Sequence, residues 1–155
     1  AQLFSIPEDE LPDLLPGPRV RVLGFTYQEH EAVWRQAGRR VERVAEASAL
    51  AGADVVLLCV KSTATEEACA ALRPHLAPGT LVLTLQNGVD NAQRAQAALG
   101  NEVDVAAAVV YVATEMAGPG HVQHHGRGEL LLATRNATDV AQAVREARQT
   151  AAYLI

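Results

Sequence analysis

The sequence predicts an α/β protein, a three-layer fold with a mainly parallel sheet and an antiparallel extension, and three observations carry that expectation. Residues 55–60 and 80–85 are short, continuously apolar runs, the pattern of strands covered on both faces. Thr65–Leu72 between them is helical in pattern, which makes a βαβ unit and sets the two strands parallel. After Thr114 the pattern changes. Beyond the turn Gly118-Pro119-Gly120, residues 121–125 and 129–133 alternate as two short strands that read as an antiparallel pair.

Each further element has its own signal. Residues 1–18 carry four prolines and four acidic residues and read as an irregular lead-in with one short helical turn; residues 19–155 form the domain. Residues 19–23 alternate charge and apolar side chains like a strand. Residues 29–37 read as a helix with Ala32, Val33 and Gln36 on one face and Gly38 as its stop. Residues 41–44 form a weak strand, and a short alanine-rich helix leads to the strong strand over 55–60. Thr63 and Glu66 have capping-box spacing before the next helix, which Pro74 and Pro78-Gly79 end. A helix over 91–99 then precedes a long apolar strand over 103–114. Residues 138–152 read as a final helix, capped from Asn136-Ala-Thr138.

At 155 residues the chain suffices for one domain, burying roughly 70% of its unfolded surface, and leaves no room for a separate substrate domain. A formal charge of −5 and the lack of a basic stripe interleaved with aromatics argue against nucleic acid and membrane partners. No apolar run approaches the roughly 20 residues that span a bilayer. The N-terminus is acidic rather than basic then apolar, so the expected location is the cytoplasm. Cys59 and Cys69 lack CxxC spacing and read as reduced core thiols.

The chemistry gathers at one edge. The strand over 55–60 runs into Lys61, and the strand over 80–85 runs into Gln86-Asn87-Gly88, so both sequences emerge at the carboxyl edge of a parallel sheet, where open α/β sheets bind ligands. An ammonium at a strand end offers three donors to a phosphate, a ribose hydroxyl or a carboxylate. Asn87 adds a carboxamide with donor and acceptor faces, and Gly88 lets backbone approach a ligand. The bland alternatives are a solvated lysine and a plain Asn-Gly turn. Other constellations are weaker. His121 and His125 on an extended strand lie about 13 Å apart with His124 on the opposite face, so no metal site is expected. Glu66 and Glu67 are adjacent on a helix and point apart, and Trp34 reads as a packing residue.

From His30 onward the sequence resembles the N-terminal domain of the ketopantoate reductase (2-dehydropantoate 2-reductase) family. The matching pieces are His30-Glu-Ala-Val-Trp-Arg-Gln-Ala-Gly38, Ala53-Asp-Val-Val-Leu-Leu-Cys-Val-Lys61, Leu85-Gln-Asn-Gly-Val89 and Gly118-Pro-Gly-His-Val-Gln-His-His-Gly-Arg-Gly-Glu-Leu130. The resemblance implies a Rossmann-like fold and NADPH-dependent reduction of ketopantoate, or a similar 2-oxo acid, for pantothenate synthesis. It further implies that Lys61 and Asn87 contact cofactor and substrate, with Gly88 beside them, and that the segment around Glu115 and Met116 touches the nicotinamide end. A non-catalytic module binding a small ligand or a protein is the alternative.

The chain departs from the family's pattern in two places. It has no G-x-G-x-x-G, the turn whose amides approach a pyrophosphate. In one register, residues 19–25 are the family's second strand, the lead-in replaces the first, and Tyr27 stands where many relatives carry an arginine for the 2′-phosphate. Residues 19–23 should then pair directly beside residues 55–60. In the other register, residues 19–24 are the first strand, residues 25–28 are the turn, and Glu29 and Glu31 repel phosphate from the first helical turn. The family's general acid, a lysine assisted by a glutamate, stands on a C-terminal helical domain. The chain therefore reads as half of an active site with no catalytic residue of its own, and that helical domain or a second copy is its implied partner.

Overall fold

Side chains on both faces of a strand need cover when the strand is apolar throughout, and β4 (Val55–Leu58) and β5 (Leu81–Thr84) are buried at every position. A computed structural model describes residues 2–7, 19–24, 28–110, 114–124, 129–134 and 150–154. The other strands are β1 (Gln2–Pro7), β2 (Arg19–Leu23), β3 (Arg40–Val44), β6 (Asp104–Val110), β7 (Thr114–Gly118), β8 (His121–His124), β9 (Glu129–Thr134) and β10 (Thr150–Leu154). The helices are α1 (Gln28–Gln36), α2 (Thr65–Leu72) and α3 (Asn91–Leu99).

Eight strands form one sheet in the order β1-β9-β6-β5-β4-β10-β2-β3, and β7 pairs with β8 in a second. The stretch from β3 to β6 is parallel throughout, while β9 and β1 extend it antiparallel. Alternate β4 side chains divide between two cores. Val55 and Leu57 pack with Val20, Val22 and Trp34, whereas Val56 and Leu58 pack with Cys69, Leu72, Ala95 and Leu99. Trp34 thus brings α1 onto one face, and α2 and α3 cover the other. The result is the expected three-layer, Rossmann-like α/β arrangement.

The centre of the sheet corrects the sequence reading. Residues 19–23 do not pair with β4, because β10 lies between β2 and β4 and runs parallel to both. From β3 the order is third, second, inserted strand, then β4, β5 and β6, so β2 occupies the second-strand place of a dinucleotide fold and β10 the first. The first of the two registers therefore holds for β2, but the lead-in does not stand in for the missing strand. A gap there would leave two rows of backbone N–H and C=O groups without partners. The last strand satisfies both rows, and residues 150–152 are accordingly strand rather than helix.

Three smaller expectations also change. Residues 2–7, read as irregular, form β1 on the edge of β9. β8 and β9 are not partners, since β8 pairs with β7 and β9 with β6. The capping box is absent: Ala64 is the N-cap of α2 with no side-chain cap, and the Thr65 hydroxyl instead donates to the Ser62 carbonyl at 2.9 Å. The turn residues Phe25 to Tyr27, the cap at Asn136-Ala-Thr138, His125 and the helix over 138–149 lie outside the described residues.

Candidate functional site

The carboxyl ends of β4 and β5 lie side by side. Their last ladder pair is Leu58 with Thr84, and the Leu85 N–H continues the pairing by donating to the Leu58 carbonyl at 2.9 Å. Lys61 and Asn87 each follow that pair by three residues, so they leave the sheet at the same level. Both are exposed, and neither the Lys61 ammonium nor the Asn87 carboxamide bonds to another side chain among the described residues. Two adjacent strand ends thus present a cation and an amide to solvent.

Backbone and side chains behind them fix the two loops. The Lys61 carbonyl accepts from the Ala64 N–H at 2.8 Å, opening the short 3-10 turn Ser62–Ala64. On the other strand, the Asn87 carbonyl accepts from Asn91 Nδ2 at 3.0 Å, and Gly88 takes φ +132°, a conformation open to glycine. Between the loops sits Gln86, whose Nε2 donates to the Val60 carbonyl and to Thr65 Oγ1, both at 2.8 Å. Its Oε1 is buried without a partner. Two donated bonds contribute about 0.5–1.5 kcal/mol each, and an orphaned buried acceptor costs about 1–3 kcal/mol. The two effects nearly cancel, so stability alone does not account for a glutamine here.

Arg94 of α3 closes the arrangement from below. It forks onto both Glu66 carboxylate oxygens at 2.6 Å and donates to the Ser62 carbonyl at 2.9 Å and to Asn91 Oδ1 at 3.3 Å. The Arg94 hydrogen bonds hold the Glu66 carboxyl below its ordinary value and raise the guanidinium in return. Gln86, Thr65, Asn91 and Arg94 are the residues that sequence reasoning missed. The Asn87–Asn91 and Asn91–Arg94 spacings are local signals, whereas the partners of Gln86 and the other partners of Arg94, Ser62 and Glu66, lie 21 to 32 residues away.

The structure sets Lys61, Asn87 and Gly88 on adjacent strand ends, and Met116 stands on the separate two-stranded sheet. Met116 is exposed on β7, paired with Val122 of β8, in a hairpin that begins four residues beyond the end of β6. Glu31 is no uncompensated carboxylate in the first helical turn: it is buried and ion-paired to Arg35 at 2.9 Å and to Arg43 of β3. Among the described residues, no group of three His, Cys, Asp or Glu side chains is placed to hold a metal ion. Likewise, no described helix is long and apolar enough to cross a membrane. An open cavity of about 460 Å³ beside Arg73, Leu99 and Glu102 lies at the amino ends of β5 and β6, away from these residues.

Comparisons with known proteins identify relatives of this chain and of its fold. A curated 2-dehydropantoate 2-reductase of Halobacterium salinarum is 42% identical over 85 residues, which are 53% of this chain and 26% of that protein. The crystal structure of a PanE/ApbA family ketopantoate reductase from Ralstonia eutropha shares 42% identity, covers 96% of this chain and 46% of its own, and superposes with a TM-score of 0.52. A 2-dehydropantoate 2-reductase from Geobacter metallireducens, at 19% identity and a TM-score of 0.57 over 86% of this chain and 57% of its own, shares the fold. The chain thus spans about a quarter of that curated relative and about half of those solved chains. The profile described as ketopantoate reductase PanE/ApbA matches residues 19–137, a stretch that includes β2 through β9 and excludes β1 and β10. The chain belongs to the ketopantoate reductase PanE/ApbA family.

Proposed function

We propose that this chain is the cofactor-side domain of a cytoplasmic reductase that uses NADPH to convert ketopantoate, or a similar 2-oxo acid, to the 2-hydroxy acid in pantothenate synthesis. The observation that carries the reading is the pairing of Lys61 and Asn87, level with each other on adjacent strand ends and free to meet a ligand. Gly88 supports it, since its backbone can approach a nucleotide where a side chain could not. The nicotinamide end of the cofactor fits these groups, and the bound cofactor would supply the hydride. Lys61 would hold an anionic oxygen of the cofactor or the substrate carboxylate. Asn87 would orient the ribose and the ketone by donating from Nδ2 and accepting at Oδ1. Met116 would border the nicotinamide end from the β7–β8 hairpin. The residues given hold no G-x-G-x-x-G, so the groups named here meet the nicotinamide end rather than the pyrophosphate.

One observation, that the residues given hold no G-x-G-x-x-G, favours a second reading, a non-catalytic module that binds a small ligand or a protein. The deciding experiment follows NADPH oxidation with ketopantoate for three proteins: the chain alone, the chain fused to a relative's C-terminal domain, and the same fusion carrying Asn87→Ala. Turnover by the fusion alone, lost in Asn87→Ala, supports the proposal. Turnover by the bare chain, or a fusion indifferent to Asn87→Ala, contradicts it.

A further inference from the structure

We infer that Gln86 is a positioning residue, setting where Lys61 and Asn87 stand relative to one another through the Val60 carbonyl and the Thr65 hydroxyl. The β4–β5 ladder ends at the bond from Leu85 to Leu58, and beyond it no backbone pairing joins the two loops. Gln86 immediately precedes Asn87, and Val60 immediately precedes Lys61, so the bond between Gln86 and Val60 ties the two strand ends one residue below the exposed groups. The second N–H of the same amide goes to Thr65 Oγ1, which passes a hydrogen bond on to the Ser62 carbonyl.

Lys61 is thereby held on both flanks, at Val60 directly and at Ser62 through Thr65, with Arg94 adding a second donor to Ser62. Both amide protons of Gln86 are committed, which fixes the side chain's orientation. Its buried, unpartnered Oε1 is the cost of placing an amide rather than an apolar side chain at this point, and packing alone does not require it. The proposal deepens the reading of Lys61 and Asn87 as ligand contacts, and one arm of its test is independent of that reading.

The test compares the chain with Gln86→Met, Thr65→Val and Thr65→Ser in two measurements: amide hydrogen exchange by mass spectrometry and calorimetric titration with NADPH. Exchange over residues 60–64 and 86–90 should rise about tenfold in Gln86→Met and Thr65→Val, with β4 and β5 unchanged. NADPH affinity should fall about tenfold in the same two variants, and Thr65→Ser should keep both properties near the parent's. If Gln86→Met fails to fold, Thr65→Val against Thr65→Ser makes the same comparison. Unchanged exchange in both segments overturns the inference, as does an affinity loss that Thr65→Ser shares. A parent chain that binds no NADPH defeats the functional reading, while the exchange comparison still decides the role of Gln86.

Discussion

A Cβ placed on Gly88 would lie 2.8 Å from Asn91 Nδ2, the nitrogen that donates to the Asn87 carbonyl. The loop after β5 is therefore closed by a contact that only a glycine leaves room for, in a backbone conformation that L side chains rarely adopt. Gly88→Ala should destabilise the chain by about 1–3 kcal/mol and release Asn91 from Asn87. Urea unfolding measures the first effect. An unchanged midpoint would mean that Asn91 moves aside without cost.

The buried Glu31 predicts an asymmetry. Its carboxylate is enclosed, whereas Arg35 and Arg43 are more than half exposed. Losing Glu31 returns two arginines to water, but losing both arginines strands a buried charge, which costs about 3–5 kcal/mol. The double variant Arg35→Met, Arg43→Met should thus unfold at lower denaturant than Glu31→Met. The reverse order in guanidinium titrations would show that the carboxylate is hydrated in the native state.

Cys69 is fully buried against α3 and the sheet, and desolvation, aided by the Glu66 charge, pushes its thiol from 9.0 up to about 11. A raised native value favours the neutral form. Its contribution to stability is complete below pH 9.0 and is lost as pH rises through about 11. At pH 8, iodoacetamide should leave Cys69 unmodified in the folded chain and alkylate it in urea, with peptide mapping as the readout. Rapid labelling of the folded chain would place the thiol in contact with solvent.

The inserted strand predicts a strong positional effect. Ala152 lies opposite Arg21 on one side and Val56 on the other, so proline there removes a ladder bond from the centre of the sheet and cannot be accommodated as it is on an edge. Ala152→Pro should cost about 3 kcal/mol or more, whereas Ser5→Pro on the edge strand β1 should cost less. Equal unfolding midpoints for the two variants would remove β10 from the sheet centre.

The fold was legible where burial itself writes the pattern. The unbroken apolar runs of β4 and β5 announced strands covered on both faces, and Lys61 and Asn87 were found because a parallel sheet sends its strand ends to one edge. The central strand was illegible for another reason: Thr-Ala-Ala-Tyr-Leu is too short and alanine-rich to tell strand from the end of a helix, and its place rests on pairing with β2 and β4, which local pattern does not reveal. Gln86 was visible only as part of Leu-Gln-Asn-Gly. Its partners, Val60 and Thr65, lie 26 and 21 residues away and become neighbours only through the β4–α2–β5 crossover. Glu31 was read from its place in the first helical turn; Arg35 four residues on is a local partner, whereas the pair with Arg43 of β3 forms only once that strand lies beside the helix.

The central claim, that Lys61 and Asn87 carry the contact with a nicotinamide nucleotide, is tested most directly by calorimetric titration of NADPH into the chain and into Lys61→Ala and Asn87→Ala. Without the glycine cradle, two or three charge-assisted hydrogen bonds are missing, each about 1.5–3 kcal/mol, so binding should be several decades weaker than in a glycine-loop relative. Each substitution should weaken it about tenfold further. A low-micromolar dissociation constant, or an affinity that neither substitution changes, would contradict the account.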